Sequence, residues 1–256
     1  MTLVRRIGAK LVAPAVGLVT LVLAITAIQT LIQAGWINRF VVPLPTQVAA
    51  SFGRVIAEEN VLGRFLLTAG ETLAAGALLT GVGIRVGVLL YRFRLLRLAF
   101  ETWIAALASA PLVLMYPLFL VIFGRNAMTL VMIGFVAALP PVILKTIEGL
   151  AGTRRVLIDV GRSFNLTEAQ QFWKILFPAA LPSMFVGIRL GLIFALINIV
   201  GVEFLINFGG LGQLINELAE RYDLPGTYAA ICFVVLVSVC LFAVTGWMER
   251  WLRPAD

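Results

Sequence analysis

Four ionisable residues lie within long apolar stretches of this 256-residue chain: Glu71, Glu101, Arg189 and Glu203. A charge at membrane depth is costly, so each such residue needs a partner, a path to water or a function. Glu101 and Arg189 lie near the ends of their stretches, where a long side chain can reach the interface and act as an anchor. For Glu71, a water-facing or gate position competes with simple pairing. For Glu203, a gate or helix-pairing role is favoured over contact with a solute. Tyr116, Asn198 and Asn207 are polar groups that line a passage or pin helices together. Other chemistry is missing. The chain has no histidine, which removes the commonest transition-metal ligand and the usual neutral-pH proton carrier. No helix face carries paired acids for general acid–base work, so a membrane-embedded enzyme is disfavoured. Cys232 and Cys240 share one apolar segment and read as packing residues. No G-x-x-x-x-G-K-[ST] sequence is present, so the chain has no phosphate-binding loop of that kind.

The elements that hold these residues are membrane spans. The chain is 61% hydrophobic with a mean hydropathy of +1.02, far above a soluble domain. An all-α polytopic fold is expected, a single transmembrane domain over 1–256 with its core at about 64–248. Six spans of about 20 apolar residues are predicted near 11–33, 64–90, 98–123, 127–148, 182–206 and 227–248. The first follows Arg5, Arg6 and Lys10. It is too long for a signal-peptide core and lacks a small-x-small cleavage site, so a retained span is expected. Gly83-x-x-x-Gly87 and Gly187-x-x-x-Gly191 predict close helix packing.

Lysines and arginines set an orientation. Fourteen of the 20 fall in segments on the N-terminal side of the membrane and five (Arg39, Arg54, Arg64, Arg125, Arg221) on the other, with Arg189 inside a span. The positive-inside rule then places both termini in the cytoplasm. The dispersed charge, net +7, speaks for orientation rather than nucleic-acid binding. Two outer segments exceed a hairpin in length: VVPLPTQV precedes a helix beginning near Thr46, and 207–226 holds a short amphipathic helix bracketed by glycines and Pro225.

One inner segment is both basic and ordered. Arg154–Pro182 reads as a helix over Val156–Phe164, a left-handed bend at Asn165, and a second helix capped by Thr167. Gln170, three residues on, completes a capping box, and Glu168 suits the first turn. The second helix is expected to run to about Leu176 and stop near Pro178, with Pro182 opening the fifth span. Such a hairpin is a rigid protrusion.

This hairpin resembles the EAA loop of permease subunits of binding-protein-dependent ABC importers. Asp159-Val160-Gly161 stands at the Glu-Ala-Ala triplet, Asn165 at the family glycine and Phe177-Pro178 at the end. LPTQV at 44–48, PLVLMYPLFLVIFG from Pro111, FWKILFPAALP from Phe172, GIRLG at 187–191, Glu203 and GGLG at 209–212 extend the resemblance to the nitrate, taurine and alkanesulfonate branch. It implies a type I importer permease in a bacterial inner membrane. It implies a second permease subunit, identical or related, two ABC ATPase subunits that bind the ATP and Mg, and an extracytoplasmic substrate-binding protein. This chain then holds no cofactor or metal and is no catalyst. ATPase coupling falls to Asp159, Gly161, Arg162, Asn165, Leu166 and Glu168; the path or gate falls to Glu71, Tyr116, Asn198, Glu203 and Asn207. The cargo implied is a small anion such as nitrate or a sulfonate, although relatives also carry neutral heterocycles. Asp159 and Asn165 depart from the family pattern and raise the prospect of an unlike permease partner. An ion-gradient-driven carrier or channel is the alternative; the absence of repeat symmetry disfavours it.

Overall fold

The computed structural model describes residues 2–252, and the side chains of 15–248. The charges counted above at Arg5, Arg6, Lys10, Arg250 and Arg253 lie outside the described side chains. The described residues form helices and no strand. α1 (Thr2–Gln33) leads to α2 (Pro45–Glu58), which begins one residue before Thr46. α3 (Val61–Arg92) crosses the molecule; α4 (Arg94–Ser109) and α5 (Tyr116–Phe123) are joined by a 3-10 turn; α6 (Ala127–Ala151) crosses again. The hairpin follows as α7 (Arg155–Ser163) and α8 (Glu168–Gln171), then α9 (Phe177–Ile206), α10 (Gly210–Glu220) and α11 (Leu224–Leu252). Five helical stretches are long and apolar enough to cross a bilayer, and the α4–α5 pair makes a sixth.

The middle of the molecule is a packed trio of α3, α6 and α9. Ala75, Leu79, Ala138, Val142, Ala195 and Ile199 form its dry core. Glycine permits the close approach. A methyl group on Gly87 would lie 2.6 Å from Thr146 Cβ, and one on Gly187 would lie 3.1 Å from the Pro141 carbonyl oxygen. Both small-x-x-x-small pairs therefore serve packing within the subunit, against α6 in each case.

Three prolines act differently from expectation. The third span is not one helix: α4 and the Leu112–Phe123 segment meet at 90°. Pro111 disfavours helical backbone at the residue before it, and Ala110 is extended (φ −75°, ψ 135°). Pro178, in contrast, stops nothing, and Pro182 lies inside α9 rather than opening it. Helix continues from Glu168 to Ile206, 39 residues. Phe172–Leu176 is a π turn in which the Phe177 N–H donates five residues back to the Phe172 carbonyl. This wider turn shifts the carbonyl ladder just before Pro178 and relieves the clash a proline makes with the preceding turn.

The inter-span segments sort to opposite ends as the charge pattern requires. α2, α10 and the starts of α3 and α11 share one end around Val55, Val61, Leu211, Leu214 and Leu218. At the other, Leu150, Ala180 and Met184 pack beneath Phe172, Leu176 and Tyr91 at the base of the hairpin.

Candidate functional site: a docking hairpin, a far-end latch and a cavity at the bend

The hairpin is built as its capping pattern predicts. Asn165 adopts φ 53°, the Leu166 N–H donates to the Gly161 carbonyl at 3.1 Å, and the Asn165 N–H donates to that of Arg162 at 2.9 Å. Asparagine tolerates this left-handed bend where most residues do not. Thr167 Oγ1 accepts from the Gln170 N–H at 3.3 Å, and Gln170 Oε1 accepts from the Thr167 N–H at 3.0 Å. Gln171 Nε2 ties the second arm to the first through the Ile158 carbonyl at 3.0 Å. Gly161 is buried, and a Cβ there would lie 2.5 Å from Ile175 Cδ1, so this glycine sets the spacing of the arms. Asp159 and Arg162 are exposed and face each other at 3.6 Å. Glu168 lies 3.8 Å from Arg92 at the end of α3; Leu166 is half-buried.

The charges are accompanied by a surface not anticipated from sequence. Val156 and Val160 on α7 and Phe164 at its C-cap recur at helical spacing and are 71%, 47% and 76% exposed. An apolar stripe on a rigid protrusion beyond the spans points to a protein partner. The i, i+4, i+8 spacing was its available signal.

At the far end, Glu203 is fully buried in the last turns of α9. Thr68 Oγ1 donates to Glu203 Oε1 at 2.7 Å, the Leu211 N–H donates to Thr68 Oγ1 at 2.9 Å, and the Gly212 N–H donates to Glu203 Oε2 at 2.8 Å. A residue of α9 thereby satisfies the first turn of α10, where free N–H groups and the helix dipole favour an anion. The GGLG run makes room: a Cβ on Gly210 would meet the Glu203 carboxyl, and one on Gly212 would lie 2.1 Å from the Val200 carbonyl oxygen. Glu71, on α3, is 5% exposed, and its carboxyl interacts with that of Glu203. Two acids from separate helices thus meet, though neither helix pairs acids on one face.

Asn207 (φ 50°) ends α9 in a left-handed turn and accepts from Asn216 Nδ2 at 2.8 Å. Arg125 Nη2 donates to the Ile206 and Asn207 carbonyls at 2.9 and 2.5 Å, a cation on a helix C-terminus. Three other far-end arginines are paired: Arg64 with Glu217 at 2.6 Å, Arg221 with Glu59 at 2.8 Å, and Arg54 with Asp223. Partial burial opposes the charge of Glu217. Arg64, Gln213 and Arg221 outweigh it and hold the carboxyl below the ordinary carboxylate value.

Asn198 stands apart from this latch. It lines a cavity of about 360 Å³ where the α4–α5 bend meets α9. Tyr116, at the start of α5, packs beside the buried Leu130, Ile133 and Val202. Glu101 pairs with Arg97 one turn away at 2.8 Å, and the Arg189 guanidinium lies 3.4 Å from the Phe242 ring centroid, a cation–π contact.

These features define a polytopic membrane translocation subunit with the type I ABC importer permease fold. The chain belongs to the family of binding-protein-dependent transport system inner membrane components, whose model matches residues 79–254. Among relatives, the riboflavin transport system permease protein RibX of Chloroflexus aurantiacus is 28% identical over 240 residues, 93% of this chain and 90% of that one. The nitrate import permease protein NrtB of Synechocystis sp. is 26% identical over 175 residues, 68% of this chain and 64% of that one. The fold matches that of a chain in inward-facing structures of the MetNI methionine ABC transporter, with a TM-score of 0.67 at 21% identity, covering 76% of this chain and 96% of that one.

Proposed function

We propose that this chain is the permease of an ATP-driven importer and that its hairpin is the docking element for a separate ATPase. The observation that carries this reading is the hairpin itself: a capped protrusion with an exposed apolar stripe, continuous through the π turn with a membrane-crossing helix. Val156, Val160 and Phe164 fill a cleft on the ATPase, and Asp159, Arg162 and Glu168 rim it. Two ATPase subunits, binding ATP and Mg, act beneath two permeases, identical or related. Their closure on ATP moves the spans between inward- and outward-facing states. The hairpin lies in the cytoplasm with both termini, in a bacterial inner membrane, as the distribution of lysine and arginine supports. The far end, with α2 and α10, receives cargo from an extracytoplasmic binding protein. The cargo is a small organic solute or anion; relatives named for riboflavin and for nitrate bracket the range.

The test is uptake by the reconstituted permease with its ATPase and binding protein. Uptake should require ATP hydrolysis and should be lost with Phe164→Asp, which should also abolish copurification of the ATPase. Uptake driven by an ion gradient alone overturns the reading.

A further inference from the structure

The cavity beside Asn198 has a chemistry of its own. Its walls are Leu107, Ala110 and Pro111 from the bend and Phe194, Ile197 and Asn198 from α9. At about 360 Å³ it falls at the lower end of small-molecule pockets. It lies eight residues before the far end of α9, at Ile206, or about 12 Å along the helix. No charged side chain lines it; the side-chain polar group in its wall is the Asn198 amide. The amide nitrogen donates to the Phe194 carbonyl at 2.9 Å, and an asparagine's acceptor is its amide oxygen.

The backbone adds a second polar element of the same sign. α4 ends at Ser109 against this cavity, and a helix leaves its last carbonyls without partners four residues on. Here the Ala110 N–H reaches back only three residues, to Leu107 at 3.2 Å, Pro111 has no N–H to offer, and the Leu112 N–H turns back to the Ala110 carbonyl at 2.8 Å. Irregular backbone at membrane depth is tolerated where protein buries it or where it lines a cavity. The end presented is the negative end of the α4 dipole.

A small oxyanion entering this site would shed water and meet apolar walls and the Asn198 amide oxygen, with no charged side chain in the lining to replace that water. The arginines toward the two ends of α9 engage other groups: Arg125 the carbonyls that end the helix, Arg189 the Phe242 ring. An uncharged ring with an N–H edge meets what the site provides. Its faces would lie against Phe194 and Pro111, and an N–H would meet the Asn198 amide oxygen.

We propose that this cavity is a substrate station on the translocation path and that it selects an uncharged, planar, hydrogen-bond-donating N-heterocycle over a small anion. The proposal rests on the ATP-driven permease reading above and narrows its cargo.

The experiment uses the complete complex of permease, ATPase and binding protein in proteoliposomes. Labelled cytosine, hypoxanthine and riboflavin are compared with nitrate, bicarbonate and methanesulfonate. ATP-dependent uptake is expected for a neutral heterocycle and should not be inhibited by the anions in hundredfold excess. Asn198→Leu should raise the apparent KM for that heterocycle about tenfold, the scale of one lost hydrogen bond, and Asn198→Gln should restore part of it. ATP-dependent uptake of an anion, absence of heterocycle uptake by a complex that hydrolyses ATP, or an unaltered KM in Asn198→Leu overturns the proposal. An anion result leaves the ATP-driven reading standing, whereas heterocycle uptake on an ion gradient without ATP does the reverse.

Discussion

Glu203 accepts the Gly212 N–H at 2.8 Å, so that a side chain near the end of α9 supplies the N-terminal cap of α10. The carboxylate is fully buried, and its other oxygen is held by Thr68 of α3 at 2.7 Å. Three helices are joined at one group.

Truncation at this junction should be destabilising. Glu203→Ala leaves the Gly212 N–H buried without its acceptor, at a cost of about 1–3 kcal/mol, and leaves the Thr68 hydroxyl only its longer bond to the Arg64 carbonyl at 3.2 Å. Glu203→Gln keeps one acceptor oxygen and should cost less. Gly212→Ala should resemble the alanine variant at Glu203, because its Cβ would lie 2.1 Å from the Val200 carbonyl oxygen. Thermal unfolding of the purified protein in detergent ranks the three. Equal stability of Glu203→Ala and wild type would show that the junction holds nothing.

At the hairpin, Asn165→Gly should be neutral and Asn165→Val harmful. Glycine accepts φ 53° freely, whereas a β-branched residue there costs about 1–2 kcal/mol. Copurification with the ATPase is the readout, and it should fail for valine alone.

The far-end ion pairs predict acid sensitivity with a definite sign. Glu217 has a folded-state value below that of the unfolded chain, where an ordinary Glu titrates near about 4.3. Its contribution is therefore complete above that pH and is lost as pH falls through the lower, folded value. Thermal melts from pH 7 to pH 3 should show a falling midpoint at the acid end. Arg64→Met removes the nearest cation and should flatten that fall; an unaltered profile would assign the acid loss to other groups.

Replacing Pro111 by alanine restores an N–H and relaxes the constraint on Ala110. The α4–α5 bend should become easier to straighten, and transport should drop while the amount of protein in the membrane holds. Cysteine-accessibility mapping along 107–115, in a background lacking Cys232 and Cys240, follows the change directly.

The helices and the hairpin were readable because their signals are local. Apolar run length marks a span, and Thr167 with Gln170 marks a helix start within four residues. Pro111 and Pro178 show where local reading stops. One proline ends a helix and the other is absorbed, and the difference lies in whether the preceding turn can widen. The Phe172–Leu176 π turn does so, and nothing in that pentapeptide announces it. The meeting of Glu71 with Glu203 is also hidden, since 132 positions separate them and only the packing of α3 against α9 joins them. The stripe at Val156, Val160 and Phe164 had a visible period, but period alone does not say whether a face is buried or left bare.

The unbroken run from Glu168 to Ile206 makes the hairpin's second arm and the fifth span a single shaft, about 58 Å long at 1.5 Å per residue. The hairpin's apolar stripe hangs on one end, Asn198 sits part-way along, and Glu203 grips α10 near the other. A lever of that length multiplies small angles: a tilt of about 5° at the hairpin carries the opposite tip roughly 5 Å, about one helical turn. Torque applied at the foot arrives at the head without passing through a single loop.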